Sequence, residues 1–191
     1  ELQRICGKGD GEIPLDRTAL LIARTEYPDL DHARYLSELD RLSGTARRRL
    51  PASRDSLGIV QVMNALLIDE EGYRGNQEDY YDPRNSFLND VMDRKLGIPI
   101  TLCIIYLEVA RRLGFPLAGV SFPGHFLLRH RSAERDFLVD PFNRGEILLP
   151  GDLPARLATL FGAKTAEEIL AKHQNRLPEN FVADATPRDI L

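Results

Sequence analysis

Residues 98–116 read IPITLCIIYLEVARRLGFP. From Ile98 to Leu107 the run is apolar on nearly every side, then turns charged at Glu108, Arg111 and Arg112 before Gly114, with Pro116 just beyond. A glycine past the last periodic residue, followed by proline, marks a helix C-terminus. Pro99 suits the other end, where a missing N–H is no loss. A helix apolar nearly all round is a buried one, so the rest of the chain is expected to pack around it.

Upstream of this helix the pattern is helical. A polar leader with Gly7, Gly9 and Gly11 precedes a short helix over 16–26 that carries Ala19, Leu20, Ile22 and Ala23 and breaks at Tyr27-Pro28. From Asp31, Leu36, Leu39, Ser43, Ala46 and Leu50 recur at steps of three and four, with Glu38, Asp40, Arg41 and Arg47 to Arg49 on the other surface, until Pro51. A third helix begins near Ser56, with Ile59, Met63, Leu66 and Leu67 on one face, and Gly72 and Gly75 open a charged loop ending in Asp82-Pro83. That pair, an N-cap residue and a first-turn proline, predicts a helix lined by Phe87, Leu88, Val91 and Met92. Downstream the period changes. Short strands are predicted at 117–122, 125–129, 137–140 and 146–149, punctuated by Pro123-Gly124 and by Pro141, Asn143, Arg144 and Gly145. Weaker helices follow at 153–161 and 165–173. Helices first, then a small antiparallel sheet with a buried helix just before it, is the order of an α+β domain. It is read here as one domain over 12–175, with a helical part at 12–72 and a core at 82–149; residues 176–191 read as a linker or the opening of a helical repeat region.

Composition narrows the function classes. The 191 residues carry 25 Lys plus Arg against 29 Asp plus Glu, a formal charge of −4, with 43% hydrophobic and 28% charged residues. That is an ordinary globular balance, and the length suits one domain. An acidic chain is not built around phosphate backbones, so no nucleic-acid partner is expected. No apolar run approaches the roughly 18 residues of a membrane span. Only Cys6 and Cys103 occur, which implies no disulfide framework and a reducing, cytoplasmic setting. Glu1 in place of Met reads as a trimmed start. No phosphate-cradling glycine loop and no metal-ligand spacing is present, so neither cofactor nor metal is expected.

One constellation can carry chemistry. If the strands from His125 and to Asp140 form a hairpin with these two paired, Phe126 falls opposite Val139, Leu127 opposite Leu138 and Leu128 opposite Phe137, with the turn on Ser132 and Ala133. Opposed Cβ atoms lie about 4.5 to 5.5 Å apart, so His125 and Asp140 could share a hydrogen bond that fixes the imidazole tautomer, as a general base requires. The same pair could simply tie the hairpin's open end. The candidate nucleophile is Cys103, yet it lies a full turn inside the central helix between Leu102 and Ile104, where burial raises a thiol pKa. Thr101 is nearer the helix start, where a hydroxyl more often serves the backbone. A metal would need His130 to join His125 and Asp140 from the turn end of the hairpin.

The runs Asn85-Ser86-Phe87-Leu88-Asn89-Asp90-Val91, Gly97-Ile98-Pro99-Ile100-Thr101-Leu102, Tyr106-Leu107-Glu108-Val109-Ala110, Phe122-Pro123-Gly124-His125-Phe126 and Val139-Asp140-Pro141-Phe142 together resemble the SirB-type branch of the transglutaminase-like superfamily. The resemblance implies a papain-like fold, a bacterial source, a Cys-His-Asp triad and a tetratricopeptide-like region after the core, where Thr186 to Leu191 would begin. His125 matches the triad histidine and Asp140 the aspartate. The cysteine does not carry over: counting back from Gly114 to the position where active relatives place the nucleophile leads to Pro99. The expected function is therefore a binding or scaffold module with a protein or peptide partner; the alternative is a thiol hydrolase or acyltransferase using Cys103, His125 and Asp140.

Overall fold

The computed structural model describes Gly9 and residues 13–53, 55–132, 135–173 and 179–191. Cys6, most of the leader and Ala133 lie outside them. Helix α1 (Leu15–Ala23) buries Leu20 and Ala23. Helix α2 (His32–Arg49) starts at Asp31, whose carboxylate accepts from the Ala33 and Arg34 amides, and it ends in Arg47 to Arg49, cations at the negative end of the helix dipole. Helix α3 (Ser56–Asn64), capped by Asp55, runs on into a π-helical turn, Ala65–Glu70. The wider turn lets consecutive residues face inward, so Leu66, Leu67 and Ile68 are all buried.

The next stretch differs from the continuous helix predicted after Asp82-Pro83. Strand β1 (Arg74–Gly75) leads to a 3₁₀ turn, Pro83–Ser86; Phe87 then adopts an extended backbone, and α4 (Leu88–Arg94) begins afresh. Strand β2 (Leu96–Gly97) pairs in parallel with β1, a two-residue ladder too short to leave a periodic trace. Helix α5 (Pro99–Leu113) is the central one, buried from Thr101 through Ala110. It is followed by β3 (Ala118–Phe122), β4 (His125–His130), β5 (Phe137–Asp140) and β6 (Glu146–Leu148), then α6 (Leu153–Phe161) and α7 (Ala163–Lys172).

Strand β7 (Asp184–Ala185) and the short helix α8 (Pro187–Ile190) close the described chain. Where a linker was expected, β7 pairs with β3 and Ile190 enters the main core. The large sheet is antiparallel, in the order β6-β5-β4-β3-β7. Alternation along its strands makes two apolar layers. Phe126, Leu128, Phe137 and Val139 pack with α5 and the N-terminal helices, whereas Val120, Phe122, Leu127, Leu138 and Leu148 pack with Leu153, Leu157 and Ala166 of α6 and α7. The architecture is α+β, a buried helix on an antiparallel sheet.

The β4–β5 register corrects the one predicted. Leu128 pairs with Val139, Arg129 with Leu138 and His130 with Phe137, a slip of two residues. Two features set it. Ser132 and Asp136 close the loop, the Ser132 amide donating to the Asp136 carboxylate and the Ser132 hydroxyl to the Arg135 carbonyl. His130 is sandwiched between rings, stacked on Phe115 at 4.7 Å and tilted against Phe137 at 5.1 Å. A slip of two preserves the faces, so His125 and Asp140 become diagonal neighbours on one side of the sheet.

Candidate functional site

His125 opens β4 directly after the Pro123-Gly124 turn, in which Gly124 takes φ 68°, a left-handed conformation that glycine adopts without steric cost. Asp140 closes β5. The diagonal separation is spanned by the side chains: His125 Nε2 lies 2.9 Å from both Asp140 carboxylate oxygens. Asp140 is wholly buried. Burial alone would raise its carboxyl pKa, but the His125 hydrogen bond and charge, the Asn143 side-chain amide at 2.7 Å and the Arg156 guanidinium outweigh it and hold the group below the ordinary carboxylate range. Nε2 being committed to Asp140, Nδ1 is the ring nitrogen left for other work.

Arg156 is the residue that sequence reasoning missed. It reaches from α6 to Asp140 and toward Glu146 at 3.6 Å, and its Nε is buried without a hydrogen-bond partner. A single arginine in a weakly patterned helix carries no sequence signal; only the fold brings α6 across the strand ends. Because the Asp140 charge is shared between Arg156 and His125, it is not available to the imidazole alone.

Cys103 sits in the other layer. His125 and Asp140 share the alternation of Leu127 and Leu138, which face α6, while Cys103 belongs to the core around Phe126, Leu128 and Val139. It is 0% exposed, and its Sγ rests 3.7 Å from the Phe126 carbonyl oxygen. Burial, reinforced by the negative charge of Asp140, pushes its thiol pKa well above the ordinary value. Thr101 is committed too: its hydroxyl donates to the Asn85 carbonyl at 2.8 Å and accepts from the Ile98 amide at 3.2 Å, capping α5. His130 is remote from the pair, its Nδ1 3.0 Å from the Pro116 carbonyl. The structure thus brings His125 and Asp140 together and leaves Cys103 and His130 outside the pair.

An aromatic row leads from His125 to the surface. The rings of His125 and Phe142, Phe142 and Tyr80, and Tyr80 and Tyr81 meet edge-on with centroids at 5.8, 6.0 and 5.3 Å, and Tyr81 is 90% exposed. Asn85, with 0% exposure, anchors this loop by donating to the Asp79 and Tyr80 carbonyls at 2.8 and 3.1 Å. Asp82 holds its other end, where the Arg84 hydrogen bond keeps its carboxyl down at about 2. A Cβ on Gly75 would lie 2.5 Å from the Phe142 ring. Gly75→Ala is therefore expected to lever Phe142 away and cost about 1 to 3 kcal/mol by overpacking, read as a lower denaturation midpoint in urea.

Comparison with known proteins agrees with this architecture. Residues 33–191 match the transglutaminase-like superfamily model. The chain is 42% identical over 178 residues to a UPF0162 protein of Xylella fastidiosa strain 9a5c, covering 91% of the chain and 62% of that protein. It is 35% identical over 154 residues to a UPF0162 protein of Vibrio cholerae, covering 80% and 57%. It is also 34% identical over 127 residues to human F-box only protein 21, covering 60% of the chain and 20% of that protein. The chain thus spans about 60% of the length of the two UPF0162 relatives. No solved structure matches it, and no described helix is long and apolar enough to cross a membrane. On the family match over most of its length, the chain belongs to the transglutaminase-like superfamily.

Proposed function

We propose that this domain is a binding module of the SirB-type branch, without cysteine catalysis, that engages a protein or peptide partner in the bacterial cytoplasm together with a downstream helical repeat region. The observation that carries this reading is the seat of Cys103: fully buried, against the Phe126 carbonyl, in the layer opposite His125 and Asp140. A nucleophilic thiol needs access and thiolate character, and this position supplies neither. Pro99 at the start of α5 offers no substitute. The His125–Asp140–Arg156 cluster then ties β4, β5 and α6 together, and the exposed Tyr80 and Tyr81 beside it supply the kind of aromatic surface that interfaces favour. The similarity of 60% of this chain to a fifth of F-box only protein 21 supports reading it as a module.

Thiol labelling tests this. In a Cys6→Ser background, a maleimide probe is expected to leave the folded chain unmodified from pH 6 to 9 and to label one thiol after denaturation. Labelling of the native chain at the rate of a free thiol or faster, abolished by His125→Ala, overturns the proposal. That outcome would favour the second reading, a thiol hydrolase or acyltransferase with Cys103 as nucleophile, His125 as base and Asp140 as its orienter, for which the 2.9 Å His125–Asp140 contact speaks.

A further inference from the structure

The loop after β1 carries an acidic, aromatic tip. Residues 77–81 are exposed without a break and read Gln77-Glu78-Asp79-Tyr80-Tyr81. Their backbone is nevertheless pinned from below. Asn76, 6% exposed, donates to the Asn85 side-chain oxygen at 3.1 Å and accepts from the Asp79 amide at 3.1 Å, while Asn85 holds the Asp79 and Tyr80 carbonyls. Two buried asparagines thus fix the shape of a tip that contributes nothing to the core. A tyrosine presented in advance loses little entropy when it docks.

Beside the loop lies a cavity of about 310 Å³, at the small end of ligand sites. The half-buried Leu96 and Phe142 give it apolar walls, and Arg74 and Arg144 line it as exposed cations. Among the described residues the Arg74, Glu78 and Asp79 side chains have no hydrogen-bond or ion-pair partner. Arg144 meets only Asp69, at 3.3 Å between two exposed groups, a contact worth little. Gln77 and Glu78 belong to the loop and also line the cavity, and the Phe142 ring meets Tyr80. The acidic aromatic tip and the basic cavity therefore lie side by side on one face.

We propose that this face is the contact between two copies of the chain: the Tyr80–Tyr81 tip of each copy enters the Arg74–Arg144 cavity of the other, and Glu78 and Asp79 pair with those arginines. A two-fold contact needs one patch that complements itself, so that residue i meets j while j meets i. This face supplies both halves. A guanidinium attracts the face of a tyrosine ring, and opposite charges around the rings set the register and speed the encounter. Such a dimer presupposes the binding-module reading and gives that module its partner. A contact of this extent belongs among the small interfaces, so association should depend on concentration.

Sedimentation equilibrium of the 191-residue chain tests it, with reductant present so that Cys6 cannot cross-link copies. The weight-average mass should climb from the monomer toward the dimer value over a hundredfold rise in concentration. Tyr81→Ser should weaken association at least tenfold. So should each of two charge variants, Arg74→Glu/Arg144→Glu and Glu78→Arg/Asp79→Arg, with unchanged circular dichroism, since every altered side chain is exposed. Mixed in equal amounts, the two should associate again to within about threefold of the native chain, because each tip then meets a cavity of opposite charge. A chain monomeric throughout, undiminished association in the folded variants, or a mixture that associates no better than its parts would each overturn the dimer. Each would leave the binding-module reading standing, since that reading falls on native labelling of Cys103.

Discussion

Glu108→Ala is expected to destabilise the domain by about 3 to 5 kcal/mol, the cost of removing one partner from a buried ion pair, and so to take away a large part of the 5 to 15 kcal/mol or so typical of a domain. Glu108 is 2% exposed on the central helix. Its carboxylate receives the Arg111 and Arg112 guanidinium groups and the Asp16 amide. Arg112 in turn donates to Asp16 and Asp40 at 2.7 Å, so one network joins α5 to α1 and α2. Asp16, also buried, would be raised by burial, but Arg112 and the Arg17 amide bring its carboxyl below the ordinary range. Removing Glu108 leaves Arg112 largely enclosed with one fewer counter-charge, and the helical layer loses its polar clasp. Urea denaturation measures the effect. Because Glu108 and Arg112 share partners, Glu108→Ala/Arg112→Ala should cost less than the sum of the single changes, by about 0.5 to 3 kcal/mol; strict additivity would show that the network is not a unit.

The same network explains what was legible in the sequence. Glu108, Arg111 and Arg112 read as the charged end of an apolar helix, and they are that, but nothing local says that Asp16, far upstream, will meet them. Strong periodicity and punctuation carried the helices: Asp31, Ser56 and Gly114 mark ends that the structure keeps. Elements held by side-chain contacts left weaker traces. The parallel β1–β2 ladder is too short for alternation to register, and the 3₁₀ turn after Asp82 is tied to α5 by the Thr101 hydroxyl, which donates to the Asn85 carbonyl. The hairpin register turned on the same kind of contact, since Ser132, Asp136 and the ring sandwich around His130 override a turn centred by counting polar residues. His125 and Asp140 were visible because strand alternation survives a slip of two. Arg156 was not, because its role exists only once α6 folds back over the sheet.

Asp140→Asn isolates the charge in that cluster, since it keeps the shape and removes only the carboxylate. Asp140 is 0% exposed, and it is the counter-ion of an Arg156 that is itself mostly enclosed. The variant leaves the guanidinium facing a neutral amide, with its Nε still unpaired and Glu146 at 3.6 Å. A loss of about 3 to 5 kcal/mol at pH 7 is expected for a buried pair broken on one side. Adding Arg156→Met should restore part of it, because an apolar side chain needs no counter-ion; a double variant worse than the single would show that Arg156 acts through packing alone. The acid limb gives a second readout. The Asp140 carboxyl titrates below the ordinary carboxylate value in the folded chain, so the unfolded chain binds that proton first and the stabilisation is complete above the unfolded pKa. It is lost as pH falls from about 4 toward the lower folded value. The asparagine variant has no such proton to bind, so its stability should fall less steeply than the native chain's as pH drops below about 4. Equal slopes would mean that the carboxylate titrates normally and that Arg156 and His125 do not hold it ionised.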